Sequence, residues 1–361
     1  MKPRNIAIAC GVAGAAVGLA AATGIVYRKQ IKSVASLKRL TDYADGYDLY
    51  AIDIAYGYDL DRIIAAGVCD DQAYIDAVVA QVLPGAPAHV QAPQFACSAF
   101  AAVDAEGRVR TGRNYDFKDD TSVLLVRNHP RGGYASIGFA ALNNLGDNTP
   151  LDSVAGRAAA LMGPFTQLDG VNKCGVSIAV LTLDSKPCDQ DTQRPVINTS
   201  LAIRLVLDRA ATTQEAVDLL SAYDMHAMAG RDYHFFINDA AGDARVVEWD
   251  PRDPGRAFKA TPVRQVTNFY ACYGDEVLPN QKNGELGHGK ERAVAIADVL
   301  DAHAGAQDEA VAWKALRAAA QEPNPEDITS NTQWSVVFDN TEPAAAITLR
   351  RHWGNADAFA L

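Results

Sequence analysis

The sequence comprises 361 residues, of which 48% are hydrophobic and 21% are charged. This composition is ordinary for a globular protein that buries one large core or two modest ones, and it excludes a disordered chain. The formal net charge of −11 and the lack of any Lys/Arg run interleaved with aromatic residues argue against a phosphate-binding surface. We therefore expect no nucleic-acid partner.

Residues 1–27 are predicted to be a separate, membrane-directed segment. Residues 6–27 carry no charged side chain and lie between the basic stretches "MKPRN" and "RKQIK". A run of this length can span a bilayer as a tether, whereas the alanines at positions 20–22 are typical of a signal-peptide cleavage site. Both interpretations stay open. Either one favours the cell envelope, on a side of the membrane that the flanking charges do not decide.

Residues 28–96 are predicted to form a helical N-terminal pro-segment. Apolar residues recur at helical spacing from Asp70 to Leu83, and three prolines then interrupt the pattern between Pro84 and Gln94. This break places a boundary just before Cys97. Residues 97–361 are predicted to be one continuous mixed domain.

The predicted domain begins with a β-hairpin. A short apolar strand runs from Cys97 to Val103, a turn lies at 105–107, and an extended pattern resumes from Val109 to Phe117. Further strands are predicted at 122–128, 176–183, 234–239, 244–250, 264–270, 332–339 and 344–351. Helical pairs are predicted at 198–210 with 212–223 and at 289–304 with 308–320. Antiparallel hairpins with inserted helical pairs are typical of an α+β protein whose stacked sheets carry helices on their outer faces.

The hairpin brings chemically useful side chains together, because it places Cys97 close to Arg113 and Asp116. A cysteine is a nucleophile only as the thiolate, and its free pKa of about 8.5 means that it needs a base and a cationic environment. None of the seven histidines lies in a recognisable protease context. If the Ala96–Cys97 bond were cut, the freed α-amine, with a pKa of about 7.7–8.0, would supply that base on the same residue.

These residues resemble the N-terminal-nucleophile (Ntn) cysteine hydrolases. This group includes choloylglycine hydrolases, penicillin V acylases, acid-ceramidase-like amidases and acyl-coenzyme A:isopenicillin N acyltransferases. The resemblance starts from Cys97 followed by "GRNYDF" and continues through "LDGVNKCGVSIAVLTLD", "RQVTNFY", "GHGKERAVAI" and "TQWSVVFD". It covers residues 97–361 and is strongest to the linear-amide C–N hydrolases that carry a leader and a pro-segment.

The resemblance implies a four-layer αββα sandwich of two antiparallel sheets and self-cleavage at Ala96–Cys97. It makes Cys97 the nucleophile and amine base, with Arg113 and Asp116 as its activating and orienting neighbours. The side-chain amide of Asn268 would donate to the oxyanion, and Arg292 would support the site electrostatically. Thr182 stands where bile-salt hydrolases have an asparagine. Its backbone N–H remains able to serve as the second oxyanion donor, but the difference weakens a bile-salt assignment.

Several other residues of the motifs are predicted to brace the site or shape its turns rather than to react. They are Asn114, Tyr115, Asp169 and Asn172. Trp249 and Trp334 are interpreted as core residues. The loops at 132–152 and 185–195 are predicted to set the acyl and amine specificity.

The function implied is that of a hydrolase acting on carbon–nitrogen bonds other than peptide bonds, with a small N-acyl linear amide as substrate and no cofactor. An acyltransferase that passes the acyl group to an amine acceptor is the nearest alternative. A catalytically silent envelope binding protein is the other. Whether the chain forms a homo-oligomer is left open by the sequence.

The six cysteines give no indication of a metal site, since no C-x-x-C pair and no zinc-type His spacing occurs. In an oxidising compartment a disulfide could form among Cys69, Cys174, Cys188 and Cys272, although their spacing selects no pair. The simpler interpretation is that these four are small buried residues.

Overall fold

The structure is a computed structural model that describes residues 27–84, 96–145, 151–280, 286–326 and 330–361. The predicted tether or signal segment therefore lies outside the described residues, apart from Tyr27. Among the residues that are described, no helix is both long and apolar enough to cross a bilayer.

Most strands belong to two sheets. In chain order the strands are β1 (Lys38–Arg39), β2 (Leu49–Ile54), β3 (Ala96–Val103), β4 (Val109–Asp116), β5 (Val123–Asn128), β6 (Ser136–Ala141), β7 (Asp169–Asn172), β8 (Ser177–Leu183), β9 (Val196–Asn198), β10 (Asp224–His226), β11 (Asp232–Asn238), β12 (Ala244–Trp249), β13 (Phe258–Pro262), β14 (Gln265–Val266), β15 (Asn268–Phe269), β16 (Gly287–His288), β17 (Thr332–Asp339), β18 (Ala344–Leu349) and β19 (Asp357–Ala360). The larger sheet has the order β1-β2-β5-β6-β7-β8-β11-β12-β13, and the smaller one β14-β3-β4-β17-β18-β19. Strands β9 and β10 form a separate pair, as do β15 and β16.

The helices lie mainly outside these two sheets. In chain order they are α1 (Arg28–Ser36), α2 (Leu60–Ala65), α3 (Asp71–Val82), α4 (Val154–Ala159), α5 (Thr199–Arg209), α6 (Thr213–Ser221), α7 (Gly274–Asn280), α8 (Lys290–Asp301) and α9 (Glu309–Ala319), with short 3-10 turns at Leu142–Leu145, Ala160–Phe165, Met228–Gly230 and Ala271–Tyr273. Helices α5 and α6 pack on β7, β8, β11 and β12, and helices α8 and α9 pack on β3, β4, β14 and β17. The sheets face each other through β3 and β8. The α+β sandwich is thus confirmed.

The hairpin that opens the second sheet has the predicted register. Strands β3 and β4 are antiparallel, with Cys97 opposite Tyr115 and Ala99 opposite Arg113. Gly112 lies opposite Phe100, and a Cβ at this glycine would clash with the Phe100 ring. A residue without a side chain is therefore needed there to let the aromatic ring fill the core between the smaller sheet and its helices.

The N-terminal segment differs from its prediction, because it is only partly helical. Strand β2 lies inside the larger sheet and pairs in parallel with β5, whereas the other pairings within both sheets are antiparallel. The prediction of two antiparallel sheets therefore holds, with this one parallel pair as an exception. The parallel partner of a strand comes from a distant part of the chain, so no local hairpin pattern in the sequence indicates the pairing.

Three tyrosine hydroxyls in the N-terminal segment form hydrogen bonds to residues of the following domain. The hydroxyl of Tyr58 donates to Asp208 Oδ2 at 2.8 Å, and that of Tyr74 donates to the Phe165 carbonyl at 2.8 Å. The hydroxyl of Tyr56 donates to the backbone carbonyl of a third residue, Leu161. Burial raises the pKa of both Tyr56 and Tyr74 well above the ordinary value, so these phenols stay neutral donors.

If the chain is cut at Ala96–Cys97, we expect the N-terminal fragment to stay bound, because its release would expose the buried residues of β2 and the edge of β5 and leave buried acceptors unpaired. The two pieces should co-elute in size-exclusion chromatography under native conditions and separate in denaturant. Ile52→Asp, at a fully buried position of β2, should release the fragment, whereas Asp53→Ala, at its exposed neighbour, should not. Loss of the small piece from the wild-type protein in native buffer would contradict this expectation.

Cysteines 69, 174, 188 and 272 are all free. The prediction that they are small buried residues holds only for Cys188, since Cys69 is exposed and the other two are partly exposed.

Candidate active site

Cys97 lies at the start of β3, and its side chain is fully buried. Opposed residues of an antiparallel pair project to the same face, so Cys97 shares the face of β3 and β4 that carries Tyr115 and Arg113. The Nη2 atom of Arg113 donates to Cys97 Sγ at 3.3 Å. Cys97 and Arg113 therefore lie close together, as the hairpin pattern predicts.

Arg113 also joins the two sheets. Its Nη1 atom lies 2.9 Å from Asp169 Oδ2 on β7, and its Nη2 atom donates to the Val180 carbonyl on β8 at 3.2 Å. The guanidinium lies 5.1 Å from the Tyr115 ring centroid and 5.5 Å from that of Trp334. Because the two rings are stacked on each other, they hold the guanidinium in one orientation.

Asp169 is the counter-charge of Arg113 rather than a turn residue. Trp334 Nε1 donates to Asp169 Oδ2 at 3.1 Å, and the Phe139 N–H donates to Oδ1 at 3.2 Å. Burial raises the pKa of Asp169 to about 6, against the opposing charge of Arg113. Trp334, interpreted as a core residue, is therefore both core and a hydrogen-bond donor within this buried network.

The thiol itself is held neutral in the uncleaved chain. Burial raises the pKa of Cys97 to about 12, although the charge of Arg113 acts in the opposite direction. A thiol with this pKa needs its proton removed before it can attack. In the uncleaved chain its own nitrogen is an amide and cannot do so.

Asn268 and Arg292 meet at the backbone of Cys97. The Cys97 N–H donates to Asn268 Oδ1 at 3.0 Å, and Arg292 Nη1 donates to the Cys97 carbonyl at 2.6 Å. Arg292 Nη2 donates to the same Asn268 Oδ1 at 2.7 Å. The two residues predicted from the late motifs are therefore brought to the backbone of Cys97, although they come from β15 and α8.

Asp116 is linked to Cys97 through Arg292. Its Oδ2 atom lies 3.3 Å from Arg292 Nη1, and its Oδ1 atom accepts the Thr332 hydroxyl at 2.6 Å. Burial raises the pKa of this carboxyl, while Arg292 and Thr332 favour the ionised form. Asp116 follows Tyr115 in β4, so its side chain lies on the opposite face from the thiol.

Thr182 is placed where its backbone can serve the site. The Val180 N–H donates to Leu168, so by the two-residue repeat of a strand the N–H and C=O of Thr182 point to the same edge of β8. Strand β7 pairs with β8 only as far as Ala179. The Thr182 carbonyl accepts Asn268 Nδ2 at 2.8 Å instead. The Thr182 N–H therefore lies on the same edge of β8 as the carbonyl that accepts the Asn268 amide.

Asn114 and Asn172 brace the surroundings of the site. Asn114 Nδ2 donates to the Leu316 carbonyl on α9 at 2.9 Å, and its Oδ1 accepts the Ser335 hydroxyl at 2.6 Å. Asn172 Nδ2 donates to the carbonyls of Leu207 and Ala210, at the end of α5, at 3.2 and 2.7 Å. These contacts are those of structural residues.

One buried pair beside the site has no counterpart in the sequence analysis. His234 Nδ1 lies 3.2 Å from Glu248 Oε2, and its Nε2 donates to the Thr267 carbonyl at 3.0 Å. Glu248 accepts the backbone N–H groups of Ala271 and Cys272 at 3.0 and 2.6 Å. The pair thus fixes the chain on both sides of Asn268. Glu248 lies 14 residues from His234 on the neighbouring strand β12, so the register of that hairpin could have indicated the pair, whereas no local pattern indicates the contact with Thr267.

Among the residues that the structure describes, no group of three or more His, Cys, Asp or Glu side chains is arranged to hold a metal ion. The site defined here is a buried cysteine with an arginine, an asparagine and a second arginine around its backbone and thiol. It lies between two sheets at the first residues of a strand.

The two facing sheets with helices packed on them have the Ntn-type fold, and comparison with known proteins identifies the family. The model of the family "acyl-coenzyme A:6-aminopenicillanic acid acyl-transferase" matches residues 103–352. The chain therefore belongs to this family. The match contains Arg113, Asp116, Asn268 and Arg292 and begins after Cys97.

Solved structures share the fold at low sequence identity. Penicillin V acylase from Agrobacterium tumefaciens is 19% identical, with a TM-score of 0.51 over 73% of this chain and 84% of its own. Two variants of the conjugated bile acid hydrolase from Clostridium perfringens are 15% identical, with TM-scores of 0.55 over 73% of this chain and 92% of theirs. No curated protein matches the sequence significantly.

Proposed function

We propose that this protein is a self-processing cysteine amidase that hydrolyses small N-acyl linear amides through an acyl-enzyme on Cys97. The observation that carries the proposal is that Cys97 presents both of its functional groups to fixed partners. Its thiol lies 3.3 Å from Arg113, and its main-chain nitrogen lies 3.0 Å from Asn268. Membership of the family and the fold shared with two amide-cleaving enzymes support it.

In the proposed first reaction, Cys97 Sγ attacks the carbonyl carbon of Ala96. The C–N bond breaks as the C–S bond forms, and water then cleaves the thioester. The product carries a free α-amine on Cys97. With an ordinary pKa of about 7.7–8.0 this amine can accept the thiol proton at neutral pH.

In the second reaction the thiolate attacks the carbonyl carbon of an N-acyl amide. Asn268 Nδ2 and the Thr182 N–H would donate to the oxyanion, each donor of this kind being worth about 2.7–4 kcal/mol. The α-ammonium of Cys97 returns its proton to the leaving amine as the C–N bond breaks. Water then hydrolyses the thioester and regenerates the thiol.

The test is intact mass and N-terminal sequencing of the purified protein, with Cys97→Ala beside it. The wild-type protein should show a new terminus reading Cys-Ser-Ala-Phe and turn over N-acyl amides, and the variant should do neither. Cys188→Ala, at another buried free cysteine, is the matched control and should be cleaved normally. An active Cys97→Ala protein, or an intact chain that turns over amides, would overturn the proposal.

An acyltransferase working through the same thioester is the second candidate, and the description of the matching family favours it. Here an amine replaces water as the acceptor. The ratio of transfer product to hydrolysis product in the presence of added amine separates the two. For either activity we propose a location in the cell envelope, on the basis of the uncharged segment at residues 6–27.

A further inference from the structure

A histidine–carboxylate pair lies beside the residues that surround Cys97. His288 Nδ1 donates to Asp184 Oδ2 at 2.7 Å, and Arg231 Nη1 lies 3.2 Å from Asp184 Oδ1. The hydrogen bond from His288 holds the pKa of Asp184 below its ordinary value. Since a carboxylate can only accept, Nδ1 of His288 carries a proton, and in the neutral imidazole Nε2 is then the acceptor.

The pair is held next to the oxyanion residues by two strands. His288 is the direct partner of Asn268 in the antiparallel pair of β16 with β15, so both side chains project from the same face. Asp184 directly follows the last residue of β8, the strand whose Thr182 carbonyl accepts the Asn268 amide. Gly287 has a φ of 108°, and a Cβ there would clash with the Asn268 carbonyl, so glycine permits this close approach.

Two polar atoms in this cluster are buried without a hydrogen bond. One is His288 Nε2 in this pair, and the other is Thr182 Oγ1 on β8; neither has a hydrogen-bond partner within the described parts of the chain. A buried polar atom left unpaired costs about 1–3 kcal/mol. Such an atom in a native structure calls for an explanation, and a bound ligand is one. The lone pair of Nε2 calls for a donor, and the hydroxyl of Thr182 can donate or accept.

We propose that His288, oriented by Asp184, forms a subsite for the amine part of the substrate, in which Nε2 of the neutral imidazole accepts an amine or amide N–H. The inference rests on the proposed function of Cys97 and names which side of the substrate these residues bind. The ligand class is therefore a molecule with an N–H on the nitrogen next to the acyl carbon. An ester, which lacks that N–H, gains nothing from the subsite.

The same atom serves the transfer reaction. When an acceptor amine attacks the Cys97 thioester, the new C–N bond forms, the C–S bond breaks and its electron pair returns to Sγ. The proton that the amine nitrogen loses passes to Nε2 of His288 and then to solvent. No further reactant is needed.

The first experiment compares matched amide and ester substrates, an N-acyl anilide and the corresponding phenyl ester. His288→Phe should lower kcat/KM for the anilide at least about tenfold and leave the ester within about twofold. Asp184→Asn should change the ratio in the same direction. His226→Phe is the matched control, because His226 pairs with Asp189 at 3.1 Å in another part of the fold, and it should leave both substrates unchanged.

The second experiment adds n-butylamine and measures the ratio of transfer to hydrolysis for the phenyl ester. His288→Phe should reduce this ratio at least about fivefold, because the acceptor amine loses its proton acceptor. Equal losses for anilide and ester, or an unchanged transfer ratio in a cleaved and folded His288→Phe protein, would overturn the subsite. Failure of the proposed function itself is distinguished from this result, because it would appear as uncleaved wild-type protein.

Discussion

Replacing Arg113 with methionine is expected to abolish self-cleavage and amidase activity and to lower the free energy of unfolding by about 3–5 kcal/mol. The guanidinium lies 3.3 Å from Cys97 Sγ and is a cation that lowers the raised pKa of the thiol. It is also the buried partner of Asp169 at 2.9 Å, with both side chains fully inaccessible. Removing one member of a buried ion pair leaves an uncompensated charge, which is the origin of the stability loss.

The stability loss and the activity loss can be separated with a matched variant. Arg204 is also fully buried and pairs with Asp208 on α5 at 2.8 Å, and its other partners are Gln167 and Ser136. Arg204→Met should therefore lose comparable stability and still be cleaved at temperatures where it is folded. Adding Asp169→Asn to Arg113→Met should recover part of the stability and none of the cleavage. The measurements are urea unfolding followed by fluorescence, and intact mass. Cleavage of Arg113→Met at the wild-type rate would contradict the role given to Arg113.

The hairpin half of the site is predictable from the sequence because its geometry is local. A short turn fixes the register of β3 and β4, and that register alone brings Arg113 to Cys97. Asn268 and Arg292 are different, since only the family resemblance indicates them. Their approach to Cys97 depends on contacts across long separations in the chain, which no periodicity reveals.

Residues 264–270 show how a local pattern fails at such a point. One continuous strand was predicted, whereas the structure has β14 paired with β3 and β15 paired with β16. The chain leaves the smaller sheet at Thr267, whose carbonyl is held by His234, and this change of partner delivers Asn268 to the Cys97 N–H. The alternation of apolar residues across 264–270 gives no sign of this change of partner at Thr267, although the change positions Asn268 in the site. Strand β2 escaped prediction for a related reason, since its partner β5 lies far along the chain.

Self-cleavage of the uncleaved chain is expected to accelerate about tenfold for each pH unit between about pH 6 and pH 9. Burial raises the pKa of the Cys97 thiol to about 12. Below its pKa, the thiolate fraction of a thiol rises tenfold per unit, and only the thiolate attacks. The residue has no free α-amine until the bond is cut. Hydroxide-dependent loss of the thiol proton therefore controls the first reaction.

The measurement is cell-free synthesis at low pH followed by a pH jump, with cleavage followed by gel electrophoresis and folding checked by circular dichroism at each pH. Cys188→Ala is the control, since burial raises the pKa of that thiol to about 12 as well, and its removal should leave the profile unchanged. A flat profile would show that another group takes the thiol proton.

After cleavage the α-amine of Cys97, with an ordinary pKa of about 7.7–8.0, becomes the base. Amidase activity should therefore level off above about pH 8, because the thiol of the cleaved protein loses its proton to the α-amine of Cys97. Self-cleavage should continue to accelerate above that pH, because the uncleaved chain has no such amine.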